Sequence, residues 1–313
     1  MHASKTSWRS AFTMLSIASC AGFMPAIAYS ETGKLLLTGG VSTVDGAAGG
    51  GLTPWAVIGS LATEGEIGFT AHATRVNTRD YGLSTYGAAL GWNERVEISL
   101  AKQDLNTGIT GVLLGAPGLH LKQDILGIKV RVAGDAVLDS DSLMPAIAVG
   151  VQAKRLASSA LDPTLSALGA KRSGTDFYVS ATKLFLAQGI LVNGTLRATK
   201  ANQNGLLGFG ASLGGAKNSY EVLPEISLAL LLRKDLAVGV EYRKMSNRLQ
   251  AAGKAAGLAD GLRSSDWTDI FIAWQPVKHL SLTLAYVDLG QIVPATTAKR
   301  RQTGTYLSAQ VAF

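Results

Sequence analysis

Apolar and polar residues alternate with a period of two along most of the chain. Ile226, Leu228, Leu230 and Leu232 are interleaved with Ser227, Ala229 and Leu231; Leu280, Leu282, Leu284 and Tyr286 with Ser281, Thr283 and Ala285. Successive side chains of a strand point to opposite faces, so this period predicts β-strands with one apolar face. Similar stretches recur at 86–92, 96–103, 128–132, 147–151, 190–198, 238–242 and 270–274, and the chain closes on one more, GTYLSAQVAF.

The connections add a second regularity. Short links at Thr63–Gly65, Asn93–Glu94, Ala187–Gly189, Arg233–Asp235 and Gln275–Lys278 largely alternate with long polar or Gly-rich ones at 105–123, 155–175, 200–220, 247–266 and 291–303. A membrane barrel with tight turns at one end and extended loops at the other has this parity. The expected fold is therefore all-β, an antiparallel transmembrane β-barrel of the outer membrane. Counting back from Phe313 gives fourteen segments: 34–43, 53–62, 66–76, 82–92, 95–104, 124–134, 144–153, 175–186, 189–199, 222–232, 236–246, 267–276, 279–289 and 304–313. The first two are rich in Gly, and if they form a plug within the lumen the number is twelve.

Residues 1–28 read as a secretory signal peptide: Lys5 and Arg9 precede an uncharged, mostly apolar run that ends in Ala26-Ile27-Ala28. The barrel then spans 29–313. A rival signal, Ile17-Ala18-Ser19-Cys20, would instead lipidate Cys20. Cleavage after Ala28 leaves no cysteine, and hence no disulfide or thiolate metal site. Past this leader no uncharged apolar run is long enough for a spanning helix, although the chain is 47% hydrophobic and only 16% charged. Trp92, Trp274, Tyr242 and Tyr286 fall near strand ends on the apolar face, where an aromatic girdle would sit.

The stretch GKLLLTGGVSTVDGAAGGGLTPWAVIG, followed by TRVNTRDYGLSTYGAALGWNERVEISLAKQDL, resembles a family of Gram-negative bacterial proteins catalogued as domain of unknown function 3034. The resemblance implies an outer-membrane protein and carries no activity, ligand or catalytic residue.

Function must come from the inward face. Opposite the apolar residues lie Lys129, Arg131, Lys154, Arg197 and Arg243, with Glu97, Glu241 and Asp269. Basic rings in a pore favour anions, so these are candidate pore-lining residues of a passive channel for small, anionic solutes. The alternative is that the charges pair across the lumen and fill it, leaving a closed structural or surface-interaction barrel. The net charge of +7 gathers partly in long loops, at Lys171-Arg172 and Lys299-Arg300-Arg301, where lipopolysaccharide phosphates are suitable partners. Nucleic acid is not expected, because no stacking aromatics accompany the basic clusters. An enzyme is not expected either. After the leader only His72, His120 and His279 are available as bases, and no Gly-x-Ser-x-Gly, His-Glu-x-x-His or Walker pattern occurs. No cofactor motif is present. The terminal Phe313 resembles the C-terminal aromatic signal read by the barrel-assembly machinery, with both termini in the periplasm.

Overall fold

A computed structural model describes residues 37, 39–135 and 143–313, which belong to the compact unit Lys34–Phe313. The signal peptide, its cleavage site and Cys20 lie outside the described residues. Two two-residue strands, β1 (Val41–Ser42) and β2 (Ala48–Gly49), pair with each other. Twelve longer strands follow: β3 (Ile67–Thr78), β4 (Gly82–Trp92), β5 (Val96–Asn106), β6 (His120–Ala133), β7 (Ala146–Leu156), β8 (Ser173–Phe185), β9 (Ile190–Thr199), β10 (Glu221–Arg233), β11 (Leu236–Arg243), β12 (Trp267–Val277), β13 (Leu280–Asp288) and β14 (Thr303–Ala312). Each pairs antiparallel with its sequence neighbours, and β14 returns to β3 in nine residue pairs from Gly304↔Thr78 to Ala312↔Thr70. The barrel is closed, so no edge strand presents unpaired backbone to lipid.

Of the two strand counts that the sequence leaves open, the structure takes twelve. Segments 34–43 and 53–62 are not staves: every residue from Gly40 through Ser60 is buried inside the barrel. The local reason is backbone geometry. Gly46 sits at φ +89, and a Cβ at Gly49 would come within 2.0 Å of the Thr53 carbonyl oxygen. A chain folded back this tightly cannot run the length of a sheet, and only glycine supplies such a conformation without strain. The other twelve segments match the expected ones within a few residues at each end.

Alternation sorts the wall. Outward positions such as Ile98, Leu100, Ile128, Leu228, Ile270, Leu284 and Leu307 are exposed. An apolar outer surface of this extent has no place in water and is what hydrocarbon requires. Aromatic rings mark both rims: Phe69, Trp92, Phe185, Trp274 and Phe313 at one, Tyr86, Phe177, Tyr220 and Tyr286 at the other. Tyr242 joins the second group half-buried, its hydroxyl donating to Asp266.

The first rim carries links at 93–95, 186–189, 234–235 and 278–279 and the longer 134–145. The opposite rim carries 79–81 and the five long loops, which contain the short helices α1 (Ile109–Leu113), α2 (Asp162–Leu168) and α3 (Leu249–Ala255). These loops cover the mouth. Leu161, Leu165, Leu206, Met245, Leu289, Ile292 and Val293 pack with Trp267 and Tyr81 into the main apolar cluster. The Tyr81 hydroxyl meets Thr110 Oγ1 at 2.6 Å, and burial pushes its pKa above the ordinary phenol value.

Candidate functional site: a plugged lumen

The interior is built from alternating wall positions and one inserted segment. On β5 and β6 the inward residues include Glu97 and Lys129, register partners whose side chains lie 3.1 Å apart, both 1% exposed. They clamp the plug. Glu97 accepts the amides of Ala48 (3.0 Å) and Gly59 (2.7 Å), while Lys129 donates to the carbonyls of Ala48 (3.0 Å) and Trp55 (3.3 Å). A buried ion pair is favourable only when its remaining hydrogen-bonding capacity is met, and here backbone groups of the plug help to meet it.

A second clamp forms on β10 and β11. Glu241 accepts the Leu52 amide at 2.7 Å, the Thr53 hydroxyl at 2.6 Å and the Ser227 hydroxyl at 2.8 Å. Ser227 also receives the Trp55 indole N–H at 2.9 Å. The Pro54 carbonyl accepts from Thr195 (2.8 Å) and Ser180 (3.1 Å), and the Ala56 amide donates to Thr182 at 2.7 Å. Across the barrel, Gln103 donates to the Val44 carbonyl at 2.7 Å and Ser42 donates to Gln310 at 2.7 Å.

The third contact joins the plug to the loop between β9 and β10, whose first turn dips into the mouth. Asp45 lies 3.3 Å from Lys154 and 3.1 Å from Arg243, and it accepts the Asn204 side-chain amide at 2.6 Å. The Asn204 side-chain oxygen Oδ1 accepts from Lys154 (2.6 Å) and Arg243 (2.7 Å). The turn holds Gln203 at φ 45 and Asn204 at φ 59. Asn tolerates the left-handed region, whereas Gln there costs on the order of 1 kcal/mol. The Asp45 lock therefore holds a conformation that the turn would not choose alone. Asp176, from β8, extends the network to Lys154 (3.0 Å) and Arg197 (3.7 Å), and Glu225, from β10, bonds Arg197 and lies 3.4 Å from Arg243.

The sequence-selected residues thus divide. Glu97, Lys129, Lys154, Arg197, Glu241 and Arg243 are inward, buried and paired as described, and Asp269 is inward beside Glu241 as its register partner. Arg131 is not among them; it sits at the short-turn rim, 2.9 Å from Asp135 and 3.7 Å from Glu94. The expected basic ring is offset. Among the described residues, Lys129, Lys154, Arg197 and Arg243 meet the buried carboxylates Asp45, Glu97, Asp176, Glu225, Glu241 and Asp269, while Lys183 and Arg248 are buried as well, so buried cations and carboxylates are equal in number. Asp176 and Glu225 were legible as inward positions of alternating strands. Asp45 and Asn204 carried no local signal, since neither belongs to a strand.

Histidines are dispersed. His72 faces the interior, His120 bonds Asp104 on the outer wall, and His279 meets the Ala312 carbonyl at 2.7 Å and stacks on Phe313 with ring centroids 4.9 Å apart. Little space is left between plug and wall. Two small apolar cavities lie in the interior, one of about 30 Å³ under the loops beside Trp267 and Ile292 and one of about 20 Å³ against the plug beside Trp55 and Phe271. A single water needs about 10–15 Å³ on this measure, so each space holds one or two waters at most.

A closed antiparallel barrel with an apolar belt, two aromatic rims and an internal plug defines a transmembrane β-barrel of the outer-membrane type. The chain belongs to the family described as Protein of unknown function (DUF3034), whose profile matches residues 38–310. That match takes in both plug and wall. No curated protein matches it by sequence. Among solved structures, a NanC porin shares 7% identity over 78% of this chain and 98% of its own, with a TM-score of 0.46. Outer membrane phospholipase A from Escherichia coli shares 10% over 77% and 89%, at 0.43. LpxR from Salmonella typhimurium shares 8% over 79% and 100%, at 0.40.

Proposed function

We propose that the protein is an outer-membrane barrel that its own N-terminal segment holds shut. The observation that carries this reading is the insertion of residues 40–60, fully buried, across the lumen. A segment bonded through Glu97, Lys129, Glu241, Arg243 and Lys154 is an internal stopper that leaves no water-filled path. The long loops face outward, the short turns and both termini face the periplasm, and Phe313 serves as the assembly signal. Removing Phe313 should then lower the folded, heat-modifiable fraction in outer membranes, and undiminished assembly would count against that role. The barrel has no enzymatic role in this reading: His279 is engaged by backbone and by Phe313 rather than by a nucleophile.

A gated channel is the second reading, and the chemistry of the wall favours it. Behind the plug the lining is polar, with Thr70, Gln103, Gln123, Gln152, Ser180, Asn193, Thr195, Ser227, Ser308 and Gln310 all inward. A barrel built only to be closed could fill this space with aliphatic side chains, whereas a polar wall is ready to be hydrated. Small solutes would then pass when the plug leaves, without strong anion preference, because the wall's own cations are matched by carboxylates. Single-channel recording in planar bilayers distinguishes the states. The full chain should be silent, and a chain lacking residues 34–62 should open in discrete steps. Steady conductance by the full chain would overturn the proposal.

A further inference from the structure

The outer wall is not uniform around the barrel. On β10 to β13 the outward positions run apolar almost to the loops: Val222, Pro224, Ile226, Val240, Ile270 and Leu284 carry no charge. On β5 to β8 the apolar rows stop two residues earlier. Register aligns Leu100, Leu126, Ala153 and Thr175 in one row across the four strands, and Lys102, Asp124, Arg155 and Ser173 in the row directly above it toward the loops. Lys122 stands in the next row, opposite Asp104.

This boundary is concave. A depression of about 460 Å³ lies over Ala153, between Leu100 and Leu126 on one side and Ser173 to Thr175 on the other. Its cause is side-chain size, since Ala153 and Thr175 stand in the row where β5 and β6 carry Leu100 and Leu126. The charges above it are incompletely paired. Lys102 is 3.3 Å from Asp124 with both side chains at least half exposed, and Lys122 is 3.8 Å from Asp104. Arg155 is exposed and makes no ion pair or side-chain hydrogen bond among the described residues. An apolar trough under an exposed cationic lip matches an acyl chain topped by a phosphate: the trough removes hydrocarbon from other contacts, and guanidinium and ammonium groups bond phosphate oxygens.

We infer that the β5–β8 facet binds a phosphorylated, multi-acyl lipid of the leaflet at the long-loop end, the lipid A part of lipopolysaccharide. An acyl chain lies over Ala153 and a phosphate sits against Arg155, Lys102 and Lys122. Charge complementarity selects this occupant: Lys102 and Lys122 are only loosely paired with Asp124 and Asp104, and Arg155 adds an unpaired cation, so the edge keeps a cationic excess that suits a phosphate better than an identical facet of a second copy. The choice of leaflet rests on the orientation proposed above, but lipid binding does not depend on whether the lumen is closed.

The test uses the folded full chain in detergent, with bound lipid counted by native mass spectrometry. Bisphosphorylated lipid A should be retained, and the same lipid stripped of phosphate should be retained at least about tenfold less. Lys102→Gln with Lys122→Gln and Arg155→Gln should show the same loss, while Lys244→Gln, near the opposite facet, should not. Ala153→Phe, which fills the depression and keeps every charge, should also lower retention. Any variant that loses heat-modifiability is replaced by a salt titration of the native chain, in which retention must fall as salt rises. Equal binding of the phosphate-free lipid, wild-type retention by the triple variant, or salt-independent retention would overturn the inference. So would a dimer in analytical ultracentrifugation that the same substitutions dissociate.

Discussion

Wall and plug are held by different chemistry. The twelve staves are joined by backbone ladders, which any sequence of suitable alternation can make, and outside the charged β5–β8 edge most outward residues of the apolar belt are interchangeable with other apolar ones. The plug has one two-residue hairpin and a few turn hydrogen bonds of its own, such as Val44 N–H to Gly51 and Gly50 N–H to Thr53, and it is fastened to the rest of the barrel by named side chains: Glu97 and Lys129 on one side, Glu241 and Ser227 on another, and Asp45 with Asn204 at the mouth. The wall is therefore robust and generic, and the plug is specific and breakable. In the gated reading proposed above, release would act on that difference, because a released stopper gives the polar lumen a purpose.

The largest break in this contrast should come from Glu97→Ala. It strips a fully buried lysine of its carboxylate and removes the acceptor of two plug amides, a loss of about 3–5 kcal/mol for an uncompensated buried charge. Hydrogen exchange should rise sharply across residues 40–60, with little change on the outward strand positions, and bilayer recordings should show openings that the parent lacks. Glu97→Gln, which retains an acceptor, should restore part of the protection.

A smaller effect is expected from Gly49→Ala. The new Cβ would lie 2.0 Å from the Thr53 oxygen, so the hairpin must shift, at about 1–3 kcal/mol for overpacking. The same substitution in the wall reverses the sign. A Cβ at Gly194 meets nothing within 4 Å on the outer face of β9, so Gly194→Ala should stabilise the barrel by about 0.5–1 kcal/mol through lower backbone entropy. Urea unfolding in detergent micelles measures both. If the two glycines responded alike, the division between specific plug and generic wall would fail.

How much could be read in advance follows the same line. The bounds of β4 are legible because Tyr86–Trp92 alternates and a short turn follows it, and those of β14 to within one residue because Thr305, Leu307, Ala309 and Val311 share a face. The inward placement of Lys129, Arg197 and Glu241 followed from that alternation alone. Their pairing did not. Asp45 and Asn204 are 159 residues apart and meet only because the barrel closes around them. The plug itself was ambiguous for a physical reason: short apolar stretches such as Leu35–Leu37 and Ala56–Ile58 look like strand fragments, and only the positive-φ glycines between them decide that the chain folds back. Arg131 keeps its inward parity, but it is the last such position before the register shifts, so its partners are the rim carboxylates Glu94 and Asp135 and not the buried network.

The seat of the plug can be tested by covalent capture. Thr53 Oγ1 and Ser227 Oγ are 2.5 Å apart, so cysteine sulfurs at these two positions would meet near bonding distance. With Cys20 replaced by Ala, the Thr53→Cys, Ser227→Cys chain assembled in outer membranes should oxidise to a single intramolecular bond. It should stay silent in bilayers, and a reductant combined with Glu97→Ala should release it. Two free thiols under oxidising conditions, or conductance undiminished by the bond, would contradict a plug seated in the lumen.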